Sequence, residues 1–239
     1  MNAPDTPLAQ ASDADIFVTV PEVTLPSGIV VPSFQVGKYA CTNPLSGKAA
    51  VTADGKPWVN ISYHDARQAC ENAGYRLITE TEWLAIAWDA ANQDCNWTKG
   101  KVGAGKLFRG LRKGNVTSAQ PGSFEPEDKK ERRWLTLSNG ECICDWNGNL
   151  YQWIYDDVQG DENGIVANAF AADSPSIATA PYPSLEKGIG WRPPAGDDWS
   201  GLALIRGGYW SSGSNAGVFY LSLVWPDREY GSVGFRCTK

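Results

Sequence analysis

The sequence predicts a loop-rich α+β fold, and three observations carry that prediction. Eleven Trp and 25 Gly stand among 239 residues, a composition in which large rings fill space that regular elements leave open. Short β-rich runs broken by Pro and Gly occur near both ends of the chain. Between them lie two stretches with helical spacing and capping residues.

Each element follows from local chemistry. Residues 16–41 read as two or three strands, with a turn at Pro26-Ser27-Gly28. Residues 42–57 read as loop. Ser62 caps a first helix, with Asp65 three residues on as a variant of the capping box. Ala66, Ala69, Cys70 and Ala73 form its apolar stripe, and Gly74 ends it. A second helix starts at Thr79, with Glu80 and Glu82 in its first turn. Trp83, Leu84, Ile86, Ala87 and Ala90 then fill about three turns.

Residues 92–141 are polar and Gly-rich. Their charge run at 125–133 reads as a solvated loop or hairpin tip rather than a docking surface. Asn147-Gly148 turns tightly into an aromatic strand. Residues 159–200 are irregular, and a loop of this length inside a compact domain is usually functional or an insertion. Short strands close the chain over 202–237, and no internal repeat is present.

Composition excludes several classes. A net charge of -6 argues against a nucleic-acid partner, which calls for a basic stripe. No run reaches the length of a membrane span, so no membrane insertion is expected. The start MNAPDTPLAQASDAD lacks the basic residues and apolar run of a signal peptide. Residues 1–15 therefore read as a flexible tail, and 16–239 as a single domain. Without an export signal the six cysteines, at 41, 70, 95, 142, 144 and 237, are expected to be largely reduced. Cys142 and Cys144 do not make a zinc site, because the chain has one His (His64) and no second close Cys pair.

Six blocks now permit a comparison. They are Val36-Gly37-Lys38-Tyr39, Val59-Asn60-Ile61-Ser62-Tyr63, Tyr75 to Trp83 (YRLITETEW), Gly148 to Trp153 (GNLYQW), Arg206-Gly207-Gly208-Tyr209-Trp210 and Gly234-Phe235-Arg236-Cys237. Together, in this order, they resemble the formylglycine-generating-enzyme and sulfatase-modifying-factor group of the C-type lectin fold. Within that group residues 206–237 look most like the variable region of proteins diversified by retroelements. The resemblance implies a C-type lectin-like fold with two helices, a small, twisted, mainly antiparallel sheet and extensive loops. It also implies that Cys70 on the first helix lies against Cys237 on the last strand, either as a buried thiol contact or as a disulfide.

Three functions follow from the resemblance. The oxidases of the group need a cysteine pair after the RGG block, since a thiolate must bind copper and exchange with the substrate thiol. Here Tyr209, Trp210, Ser211 and Ser212 follow, with no Cys before Cys237, so no catalysis is expected. Calcium-dependent sugar lectins carry signatures that Gln120-Pro121-Gly122, Glu125-Pro126-Glu127 and Asp145-Trp146-Asn147-Gly148 do not complete. Asp145, Asn147 and Asn149 offer oxygens of the kind calcium takes, but an Asn-Gly turn explains them without metal. No cofactor is expected.

The third function is a display protein whose C-terminal surface is recoded at template adenines. Asn codons then become Tyr, Ser, Asp, Val or Arg while their neighbours stay fixed. In VFYLSLVW, Val218 to Trp225, alternation would send Phe219, Leu221 and Leu223 to the core and Tyr220, Ser222 and Val224 outward. The same logic assigns Tyr209, Ser211, Ser212, Asp227, Arg228, Glu229, Tyr230 and Ser232 to the ligand-binding face, with Trp225 less certain in origin. Trp210 and Phe235 are structural. Tyr220→Ala is expected to leave the fold intact, and Phe219→Ala to cost about 3–5 kcal/mol. The implied partner is a macromolecule, a protein rather than a small molecule, with docking on virion or cell-surface structural proteins and a virion or cytoplasmic location. A fixed-specificity interaction module of the same fold is the alternative.

Overall fold

The computed structural model describes residues 15–239. The expected tail, 1–15, lies outside the described residues except for Asp15, which is anchored. Its carboxylate accepts hydrogen bonds from the Val51 backbone N–H, at 2.6 Å, and from the Tyr75 hydroxyl, at 2.7 Å.

The N-terminal third holds four short strands, β1 (Phe17–Val20), β2 (Val23–Thr24), β3 (Val30–Val31) and β4 (Phe34–Gly37). The turn between β2 and β3 closes where Gly28 N–H donates to the Leu25 carbonyl. Helix α1 (Tyr63–Asn72) starts at Ser62, whose hydroxyl accepts from Asp65 N–H. After it Gly74 takes φ +79°, the left-handed conformation that suits glycine past a helix end. Strand β5 (Arg76–Leu77) leads into α2 (Glu80–Ala91), where Thr79 and Glu82 form a reciprocal capping box. Strands β6 (Trp134–Thr136), β7 (Cys142–Cys144) and β8 (Tyr151–Ile154) follow. A single-turn α3 (Pro175–Ala178) precedes β9 (Ala203–Arg206), β10 (Leu221–Val224), β11 (Val233–Gly234) and β12 (Cys237–Thr238).

The strands form two four-stranded sheets and two ribbons rather than one small sheet. One sheet runs β1-β4-β12-β5, the other β10-β9-β8-β11, and the ribbons pair β2 with β3 and β6 with β7. Pairing is antiparallel throughout except between β11 and β8. The architecture is α+β and C-type lectin-like.

The second sheet decides the fate of the C-terminal block. Antiparallel sheets commonly leave one face in water, but here both faces are covered. Ile154, Leu204 and Leu221 enter a core with α2, while Trp153, Ala203 and Ile205 enter a second core with α1, Phe235 and Cys237. Residues paired across an antiparallel ladder share a face. Ser222, opposite Ile205, and Val224, opposite Ala203, therefore lie on the side of the second core. Val224 packs against that core.

The expected alternation over Val218 to Trp225 thus fails at Val224, which was expected outward, and in three further places. The strand begins only at Leu221. Tyr220, expected outward, is 7% exposed. Leu223, expected in the core, is half-buried on the edge strand. The charge run at 125–133 also departs from a purely solvated loop, since Glu131 and Arg133 are buried. Glu131 accepts from the backbone N–H groups of Arg112 and Lys113, and Arg133 pairs with buried Asp145.

Candidate ligand-binding surface

The frame of the site is built from the RGG block. Arg206 is fully buried and paired with fully buried Glu80, its Nε 2.9 Å from the carboxylate. Its Nη1 donates to the Phe219 carbonyl at 3.0 Å. A buried ion pair of this kind holds only because its remaining donors are also satisfied. Trp83 stacks on Trp146, with centroids 4.0 Å apart, and its indole N–H donates to the Val218 carbonyl at 2.8 Å. The backbone of 217–221 lies directly on residues 189–191. Phe219 N–H donates to the Ile189 carbonyl and Leu221 N–H to the Trp191 carbonyl, both at 2.9 Å. A Cβ on Gly217 would stand 2.3 Å from the Ile189 carbonyl group, so only glycine allows this approach. Part of the irregular 159–200 segment is thus a backbone wall for the C-terminal block.

Tyr151 on β8 is the hub of the surface. Its ring stacks on Tyr209 at 4.9 Å and lies 5.4 Å from Tyr220, whose ring is 6.3 Å from Trp191. The Tyr220 and Ser212 hydroxyls each stand 3.4 Å from the Tyr151 hydroxyl and donate to it. Burial, against the hydrogen bond from Ser212, pushes the Tyr151 phenol above its ordinary value. Its backbone N–H reaches the Ser232 carbonyl at 2.9 Å. Tyr151 stood in the GNLYQW block, but nothing in its local sequence distinguishes a site residue from a strand residue. Trp191 gave no signal at all, because its role rests on a contact with a strand thirty residues on.

Apart from Tyr220, Ser222 and Val224, the predicted residues lie in two segments, 209–212 and 225–232. In the first, Tyr209 and Ser212 are half-buried and Ser211 is exposed. Ser212 Oγ accepts from Tyr209 N–H at 2.8 Å, and Trp210, half-buried, packs toward Ala40, Ala119 and Leu150. In the second, Trp225 is 57% exposed, and Asp227, Arg228 and Glu229 are exposed. Tyr230 and Ser232 are half-buried, with the Tyr230 ring 6.2 Å from Trp153. This loop is held by its backbone: Tyr63 N–H donates to the Pro226 carbonyl and Asn60 N–H to the Tyr230 carbonyl, both at 3.0 Å. Asp227 stands 3.3 Å from His64, which is exposed on α1. Glu229 borders a surface groove of about 330 Å³ with Asn60, Asp65 and Gln68.

The oxygens of the Asp145–Asn149 turn are occupied by protein donors. Asp145 holds Arg133, Asn147 Oδ1 accepts from Gly110 N–H, and Asn149 Oδ1 accepts from Gln120 N–H. Cys237 does not border the surface. Its sulfur lies in the interior, 2.9 Å from that of Cys70, the buried thiol contact of the two readings, and 3.1 Å from that of Cys41, which the sequence did not link to it.

A two-helix C-type lectin-like scaffold displaying a C-terminal loop surface defines the class of protein. The model of the sulfatase-modifying factor enzyme 1-like domain matches residues 26–239, and the chain belongs to that family. It is similar to a formylglycine-generating enzyme of Streptomyces coelicolor, 25% identical over 189 residues. That match covers 76% of this chain and 52% of the relative, so the chain spans about half the relative's length. Among solved structures it is similar in fold to CarF, with a TM-score of 0.52, 13% identity and coverage of 94% of this chain and 98% of that one. Treponema denticola variable protein 1 gives a TM-score of 0.49 at 13% identity, covering 94% and 92%. No helix among the described residues is long and apolar enough to cross a membrane.

Proposed function

We propose that the protein is a non-enzymatic binding protein whose C-terminal surface is diversified by a retroelement to recognise macromolecular targets, chiefly proteins. The observation that carries this reading is the loop from Trp225 to Tyr230. Its backbone carbonyls are tied to the start of α1 while Trp225, Asp227, Arg228 and Glu229 project into solvent. Side chains on such a loop can change without disturbing the bonds that hold it.

Recognition is non-covalent and uses no cofactor. Trp225 and Tyr209 supply large contact area at low entropic cost, as aromatic residues do in antibody paratopes. Ser211 adds adaptable hydrogen bonding, and Asp227, Arg228 and Glu229 set charge preference. Exposed and half-buried side chains spread over 209–211, 225 and 227–229 suit a protein epitope better than a small molecule, which needs a cleft. Docking on virion or cell-surface structural proteins would present the patch to its targets. The missing cysteine pair after Arg206-Gly207-Gly208 removes the thiolates that oxidase chemistry requires.

The test is to sequence the 3′ end of the gene across a population, together with its flanking DNA. Substitutions at template adenines within codons 209–232, beside a near-repeat and a reverse transcriptase gene, are expected. They should be dense at 211, 225 and 227–229. Uniform codons without a template would replace this reading with a fixed-specificity interaction module.

A further inference from the structure

Three of the six cysteines converge in the second core from separate parts of the chain. Cys41 follows β4 at the entrance to the 42–57 loop, Cys70 lies in the last turn of α1, and Cys237 begins β12. All three are fully buried. Cys237 is central, its sulfur 2.9 Å from that of Cys70 and 3.1 Å from that of Cys41. A disulfide requires about 2.05 Å, so closing either bond calls for a side-chain shift of about 1 Å rather than a backbone rearrangement.

A second observation concerns charge. Arg236, next to Cys237, is fully buried and donates to Gln152 Oε1, at 2.9 Å, and to the Gly37 and Cys144 carbonyls, at 2.6 and 2.8 Å. Among the described residues it makes no ion pair with a carboxylate. A buried guanidinium without a carboxylate favours an anion nearby. Cys144 and Asp145 stand nearest in effect, and the cluster sulfurs of Cys41 and Cys237 follow. Burial alone would raise the Cys41 thiol. The hydrogen bonds from Cys237 and Cys70, with the Arg236 charge, outweigh burial and hold it below its ordinary value. Burial, first of all, pushes Cys70 and Cys237 up. Of the three sulfurs, Cys41 is therefore the one whose ionisation the surroundings favour.

We propose that Cys41, Cys70 and Cys237 form a three-thiol redox site, in which oxidation by a hydroperoxide closes one disulfide at Cys237 and the third sulfur exchanges it between Cys41 and Cys70. In the first step the Cys41 thiolate attacks a peroxide oxygen, giving a sulfenic acid and hydroxide. The Cys237 thiol then attacks the sulfenic sulfur. Its proton leaves with the expelled oxygen as water, and the Cys41–Cys237 bond forms. Two thiols have lost two electrons and two protons, and hydrogen peroxide has become two waters. Exchange is redox-neutral: the Cys70 sulfur gives up its proton and attacks Cys237, the Cys41–Cys237 bond breaks, and the departing Cys41 sulfur takes up that proton or leaves as thiolate with the proton passed to solvent. With an odd number of thiols one sulfur always remains free to reverse the choice. The bond ties β12 either to α1 or to the end of β4. The entry side is the 42–57 loop, where a groove of about 650 Å³ lined by Thr42, Pro44 and Trp58 adjoins Cys41 in sequence.

The experiment uses the full chain with Cys95→Ser and Cys142→Ser, which removes the two thiols that are not buried. The reduced protein is treated while folded with hydrogen peroxide, then alkylated in denaturant and mapped by mass spectrometry without reduction. One disulfide per chain is expected, distributed over Cys41–Cys237 and Cys70–Cys237. In this background Cys70→Ser should still form Cys41–Cys237. Cys41→Ser should still form Cys70–Cys237, but about tenfold more slowly, because it has lost the ionised sulfur. The proposal is overturned if the parent shows Cys70–Cys237 as its single bond, or if the folded parent forms none. It is equally overturned if Cys70→Ser, or Cys70→Ala where the serine variant does not melt cooperatively, forms no Cys41–Cys237 bond while folded.

Discussion

Residues 216–221 and 225–230 belong to the same short C-terminal block, yet they face opposite demands. The first segment is buried from Ala216 to Leu221. Its backbone lies against Ile189, Gly190 and Trp191, and its carbonyls receive Arg206 and Trp83. The second segment has two carbonyls bonded to the start of α1 and most of its side chains in water. The comparison shows that a loop with its side chains in water is placed by a neighbouring stretch whose side chains and backbone are all engaged. The buried segment fixes where the loop starts, and the loop's own backbone bonds fix where it lies.

Four measurements would break or sharpen that contrast. Phe219→Ala should lose about 3–5 kcal/mol of stability in urea unfolding, because the ring is fully buried. A loss under about 1 kcal/mol would mean that the first segment is not part of the frame.

Tyr220→Ala comes next, at about 3 kcal/mol, the low end for a buried aromatic. This reverses the expectation from alternation, which left the fold intact. Tyr220→Phe should cost only about 1 kcal/mol, the worth of one hydroxyl hydrogen bond. If Tyr220→Ala melts like the parent, the tyrosine is a display residue after all.

The frame should also carry a pH dependence. Asp156 is fully buried just after β8. Burial, and then the nearby Glu80 carboxylate, raise it to about 6, against hydrogen bonds from Gln159 and Val158. The unfolded group titrates near its ordinary 3.8. Between these values the folded protein binds the extra proton, so this stabilisation is full below about pH 4 and is lost as pH rises through about 6. Asp156→Asn should flatten that slope, by at most about 3 kcal/mol. An unchanged slope in unfolding measured at several pH values would exclude Asp156 as its source.

Trp225→Ala and Arg228→Ala should be the mildest, within about 0.5 kcal/mol of the parent. Losses well above that would show that the loop is structural and unsuited to diversification. In a library randomised at 225 and 227–229, most members should fold, as read by protease resistance.

The helices were legible because their signals are local. Ser62 and Asp65, and Thr79 and Glu82, are three residues apart, and each pair does what its chemistry implies. The site was legible in part, since exposed Trp225, Asp227, Arg228 and Glu229 lie in a polar stretch. Tyr220 was misassigned because alternation presumes a strand with one wet face. The chain at 218–220 is a turn, and the sheet beyond it has cores on both sides.

By itself, then, the sequence determined the fold class, the two capped helices, the absence of a cysteine pair after the RGG block and the polar residues of the exposed C-terminal loop. Only the tertiary structure decided that Trp191 and Tyr151 support the surface, that Glu80 neutralises Arg206, and that Cys41 joins Cys70 and Cys237. The physical reason is range. Caps and turns are satisfied within a few residues, whereas these contacts join groups far apart in sequence. Which of them forms is set by how two cores close around one sheet.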